Sequence, residues 1–100
     1  MVHPGEILEA EYIKPFGLAF DYIDRELLLP KGTIDKIVKG KREITPNIAA
    51  RLSIFFKTST KYWLNLQYRY DADLKANKDD KIAEDIQKQL IKENEINSYI

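Results

Sequence analysis

The chain of 100 residues has no cysteine, which excludes disulfides and thiolate metal sites and gives no support to an oxidising compartment. It has one histidine, His3. A metal site needs three or four ligands, and His3 with Glu6 a turn away supplies too few. Nucleophilic catalysis needs a base beside the nucleophile, and the only histidine sits near the N-terminus. Glu9 and Glu11 fall on opposite sides of a helix, and the four glycines form no phosphate-cradling loop. The expectation is a binding protein, not an enzyme, with no cofactor. No apolar run approaches the roughly 20 residues that span a bilayer. The opening MVHPGEILEAEYIK carries three glutamates and lacks the apolar centre of a signal peptide. The expected location is therefore cytoplasmic, with no membrane partner. A net charge is missing too, since 16 basic residues offset 16 acidic ones.

What is present is a soluble globular composition, 44% hydrophobic and 32% charged, enough for one domain, or one small domain with a tail. The zero net charge hides an uneven distribution. Residues 1–70 hold eleven Lys/Arg against eight Asp/Glu, and residues 71–100 hold five against eight. Between Lys31 and Arg42 stand five bases (Lys31, Lys36, Lys39, Lys41, Arg42) and one acid, Asp35. Such a local patch is what contact with phosphates requires.

Apolar residues recur at helical spacing between proline and glycine marks, and no segment sustains the alternation of a strand, so the fold class is all-α. Helix one is expected from about Gly5 to Lys14, ended by Pro15, and helix two from about Leu18 to Leu28. Helix three is expected from Pro30 with Ile34, Ile37 and Val38 inward and Gly40 as a left-handed C-cap. Helix four should follow the cap Thr45 and the first-turn Pro46, and helix five should open after Ser59. Trp63 with Tyr62, Tyr68 and Tyr70 could be a stacking platform for single strands, but its core spacing reads as packing. The expected organisation is a domain over residues 1–76 and an amphipathic C-terminal helix over 77–100. The stripe of that tail is Ile82, Ile86 and Leu90, with Ile96 and Ile100 beyond. A single stripe has to pack on its own domain, on a second copy or on another protein.

The segment GLAFDYIDRELLLPKGTIDKIVKGKR, Gly17 to Arg42, reads as two short helices joined by a tight turn. In a helix-turn-helix the first of these crosses the DNA backbone, and the second offers its N-terminal and outward side chains to base edges. The outward positions are expected to be Lys31, Gly32, Thr33, Asp35 and Lys36. The residues expected to contact DNA are Lys31, Thr33 and Lys36, with Lys39, Lys41 and Arg42 tracking phosphates.

HPGEIL (His3–Leu8), PFGL (Pro15–Leu18), IVKGKREIT (Ile37–Thr45) and ARLSIFFKTSTKYWLNLQYRYD (Ala50–Asp71) resemble the HigA antitoxins. That family also carries the name virulence-associated protein I and lies within the Xre/Cro-repressor-like group. The resemblance covers about residues 3 to 73. It implies a five-helix lambda-repressor-like (Xre) helix-turn-helix domain, here followed by an additional C-terminal helix. It further implies a homodimer, binding to double-stranded operator DNA of its own operon, and neutralisation of a HigB-like mRNA-cleaving toxin.

The chain departs from the family pattern at several places. Ala19 and Phe20 stand where a capping serine and a DNA-facing glutamine are usual. Asp24 stands for a small alanine and Leu28 for a turn glycine, and Gly32 and Thr33 occupy positions that often carry arginines. Asp21, Asp24 and Glu26 also place negative charge on the helix that should cross phosphates. These departures predict weakened or altered DNA binding, and they motivate an alternative in which a degenerate helix-turn-helix serves only to sequester a toxin.

Overall fold

The computed structural model describes residues 1–98, with side chains through residue 94, and those residues contain helices and no strand. Two compact units are present, Met1–Tyr70 and a second that begins at Asp71.

In the first unit, α1 (Pro4–Ile7) widens into a π-helical stretch (Leu8–Ile13) and tightens into a 3-10 turn (Lys14–Phe16). The His3 ring caps α1 by accepting the Gly5 N–H on Nδ1 at 2.9 Å, and Pro4 fills the first turn, where a missing N–H costs nothing. Gly5 is required by proximity, because a Cβ there would overlap the carbonyl oxygen of Ile37. The helix does not stop at Pro15, as expected, but at Gly17, which takes the left-handed conformation at φ 62°.

The remaining helices are α2 (Phe20–Glu26), α3 (Thr33–Val38), α4 (Pro46–Phe56) and α5 (Thr60–Ser98). Thr45 caps α4 through the Ile48 N–H at 3.3 Å, and Ser59 caps α5 through the Tyr62 N–H at 3.0 Å. Both caps match the sequence expectation. The core joins Leu8 and Ile13 to Ile23, Leu27, Ile34, Ile37, Ile44, Ile48, Leu52 and Trp63, all less than 5% exposed. Trp63 is fully buried, and its indole N–H donates to the Thr58 hydroxyl at 2.6 Å. Its ring makes tilted and edge-to-face contacts with Tyr12 and Tyr62, which makes it packing and not a platform for bases. The side chain of Gln67, 5% exposed, accepts the Ile44 N–H at 2.9 Å and so holds the chain between α3 and α4 onto α5.

The second unit is helical from Asp71. The segment expected to be a separate sixth helix from Asn77 is the continuation of α5, since nothing between Tyr70 and Lys78 breaks a helix. Ile82, Ile86 and Leu90 form the expected stripe and lie 54–57% exposed. The side chain of Ile96, and Ile100 altogether, lie outside the described residues.

Candidate nucleic-acid interface

The turn between α2 and α3 is built by three local devices. First, α2 closes with two overlapping bonds, Leu28 N–H to the Arg25 carbonyl at 3.2 Å and Leu29 N–H to the Asp24 carbonyl at 2.8 Å. This closure requires a left-handed residue at Leu28, whose φ is 55°. The guanidinium of Arg51, on α4, then donates to the Leu27 carbonyl at 2.7 Å and fastens the end of α2 to α4.

Second, the chain passes through Gly32 at φ 87°, another conformation that L side chains resist. This left-handed residue delays α3, which starts at Thr33 and not at Pro30. Third, the amides left free by that late start are taken by Asp24. Its Oδ2 accepts the Gly32 N–H at 3.0 Å and its Oδ1 accepts the Ile34 N–H at 3.0 Å. Asp24 is 2% exposed, so a residue of α2 caps α3 from inside the domain. No spacing rule would have found it, because N-caps are sought next to the helix they serve.

The six expected DNA-contact residues separate into two groups. Lys31 is exposed in the turn, Lys36 on α3, and Lys39, Lys41 and Arg42 at and beyond its C-terminus. Gly40 closes α3 at φ 73°, with Lys41 N–H bonded to the Lys36 carbonyl at 2.8 Å, so the basic run leaves the helix in a fixed direction. The Lys39 ammonium lies 3.0 Å from the Asp35 carboxylate one turn earlier. Thr33 must be corrected. Its side chain is 2% exposed and its hydroxyl donates to the Pro30 carbonyl at 2.7 Å, so it braces the turn and offers nothing outward. As the first residue of α3 its side chain folds back onto the turn, in line with the buried Ile34 and Ile37. The outward face of α3 is therefore Asp35 and Lys36, with Gly32 just before the helix and Lys39 just after it.

Sequence reasoning gave Phe20 no role of its own. Phe20, Ala19 and Asp21 at the start of α2 join Lys31, Gly32 and Asp35 around a concavity of about 380 Å³. No group of three or more His, Cys, Asp or Glu that could hold a metal occurs among the described residues, and none of their helices is long and apolar enough to cross a membrane.

A short helix fixed at both ends, with cations on its outward side and a braced partner helix behind it, is the arrangement of a helix-turn-helix protein. No protein-family model matches the chain. Individual proteins do. It is 41% identical over 70 residues to virulence-associated protein I of Dichelobacter nodosus, a match spanning 70% of this chain and 65% of that relative, just under two thirds of its length. The structure of antitoxin HigA from Pseudomonas aeruginosa with the higBA promoter matches with a TM-score of 0.77 at 34% identity, covering 80% of this chain and 87% of that one. An addiction module antidote protein of the HigA family from Coxiella burnetii matches with a TM-score of 0.76 at 36% identity, covering 83% and 90%. The chain belongs to the HigA-type family of Xre-like helix-turn-helix antitoxins.

Proposed function

We propose that this protein is a cytoplasmic antitoxin and transcriptional autorepressor, a binding protein with no catalytic role. As a homodimer it places α3 of each copy in successive major grooves of its operator, roughly 34 Å apart. It also neutralises a HigB-like mRNA-cleaving toxin. Residues 1–76 serve DNA, and residues 77–100, with their exposed apolar stripe and excess of acids, are left for a protein partner.

The observation that carries the DNA reading is the exposed set Lys31, Lys36, Lys39, Lys41 and Arg42 on and after a helix fixed at both ends. Lys31 and Lys36 stand where a guanine edge or a phosphate is met. Lys39, Lys41 and Arg42 stand where phosphates are met. Two departures that pointed toward a degenerate motif, Asp24 and Gly32, act together, since the glycine makes the turn and the aspartate caps the helix beyond it. They are a different way to build a firm recognition helix, which speaks against the sequestration-only reading.

The test is a footprint on the promoter of the protein's own operon at low salt, with the neighbouring toxin-type gene product added in a second series. Protection of two half-sites one turn apart is expected. Absence of protection at micromolar protein, beside a stable complex with the toxin, would establish the sequestration-only alternative instead.

A further inference from the structure

The concavity at the start of α2 has a mixed lining. Its apolar part consists of Ala19, which is exposed, the half-buried Phe20, and Gly32, where a Cβ would meet nothing within 4 Å. Its charged part is Asp21, Asp35 and Lys31. Asp35 is paired with the Lys39 ammonium at 3.0 Å, and Asp21 stands against Lys31, so the concavity has no excess of positive charge to hold a phosphate. The first amides of α3, which would otherwise attract an anion, are occupied by Asp24. A neutral, apolar projection fits this chemistry. In the major groove the apolar group offered by base edges is the C5-methyl of thymine, and Phe is among the side chains suited to it.

We propose that Phe20, with the bare α-carbon of Gly32 beside it, receives a thymine methyl in each operator half-site and so helps to set the sequence the protein reads. The proposal rests on the DNA-binding reading above. It gives a purpose to three features together. Phe20 supplies an apolar surface. Gly32 leaves room in front of that surface, and its φ of 87° keeps side-chain-bearing residues out of the space. Lys31, exposed and lining the same concavity, serves the adjoining guanine edge or phosphate.

The experiment starts from duplexes that the purified full-length protein enriches from a random-sequence pool. Each thymine of the enriched site is then replaced by deoxyuridine, which lacks only the methyl. One thymine per half-site should stand out, with affinity falling about fourfold on replacement, the worth of one buried carbon group. Phe20→Ala should bind the thymine and uracil forms equally, so that residue and methyl are coupled. Because the Phe20 ring also packs against the core, the wild-type protein supplies an independent readout. A duplex with 5-iododeoxyuridine at that position should photo-crosslink to the peptide containing Phe20. A wild type indifferent to every uracil replacement, an alanine variant that discriminates as the wild type does, or a crosslink made only to other peptides would each overturn the proposal while leaving DNA binding intact. Failure to enrich any duplex would overturn the DNA reading and this inference with it.

Discussion

The carboxylate of Asp24 and the amide of Ile34, ten positions apart, meet at 3.0 Å in a buried hydrogen bond beneath the turn of the motif. With the second bond to Gly32, this makes an acid on one helix the N-cap of the next. A buried carboxylate is expensive unless charge-assisted donors surround it, and here two backbone amides and the positive end of a helix do so. Asp24→Ala should therefore lower unfolding free energy by about 2–4 kcal/mol, because both amides lose their acceptor and that of Ile34 is buried away from water. Asp24→Asn should cost roughly half as much, since its carbonyl oxygen serves one amide and its NH₂ faces the other. Urea titration measures both. An alanine variant as stable as the wild type would mean that the amides find other acceptors and that the cap is dispensable.

Leu28 and Gly40 hold equivalent places after α2 and α3, each left-handed and each followed by a residue that bonds back into the helix. Only one of them is a glycine. Leu28 is 81% exposed, so its side chain recovers little burial for the strain of φ 55°. Leu28→Gly should stabilise the protein by about 0.5–1 kcal/mol after the added freedom of the unfolded chain is counted. Gly40→Ala should destabilise by about 1 kcal/mol. Thermal midpoints of the two variants should move in opposite directions, and a shift of the same sign would refute the equivalence.

These positions also show what the sequence can reveal. The caps Thr45, Ser59 and Gly40 are readable because each serves amides or carbonyls within a few residues of itself. The Asp24 cap is not readable, since its partners lie across a turn and its position alone suggests only misplaced charge. The left-handed Leu28 is readable only through the resemblance, as the replacement of a turn glycine, because a leucine by itself rarely adopts that conformation. Thr33 reads as outward only if α3 begins at Pro30, and the path of the chain through Gly32 moves that start. The break expected before Asn77 reflects a change in composition, and composition does not end a helix that lacks glycine and proline. Of the candidate site, the lysines and Arg42 are legible as a charge cluster, whereas Phe20 is legible only as a missing glutamine.

The phenol of Tyr62 is pushed up from its ordinary value to about 12, first by burial, then by a hydrogen bond with Tyr12 and by the charges of Tyr12 and Glu11. A raised folded-state value means that the native protein holds this proton more tightly than the unfolded chain does. The resulting stability is whole below pH 10 and is lost as the pH climbs toward 12. Tyr62→Phe should remove that part of the alkaline loss. The gap between wild-type and variant melting temperatures should thus be constant up to about pH 9.5 and should change above it in the variant's favour. A gap independent of pH up to about 12 would show that the phenol is not held in its neutral form.

Lys36 and Arg42 separate reading from positioning. Lys36 is exposed on α3, and Arg42 is exposed beyond its closed C-terminal end, where the proposed function has it meet phosphates. Arg42→Ala should weaken binding to operator and to unrelated duplex by similar factors and lower the slope of log affinity against log salt by about one. Lys36→Ala should cost about 1–3 kcal/mol on the operator and much less on unrelated DNA if its partner is a base, because a base contact carries discrimination that a phosphate contact does not. The comparison is made by titrating both duplexes at several salt concentrations. Were Lys36→Ala to reduce both affinities equally with a unit change in slope, Lys36 would belong with Arg42 among the phosphate contacts, and base reading by α3 would fall to the residues around Gly32.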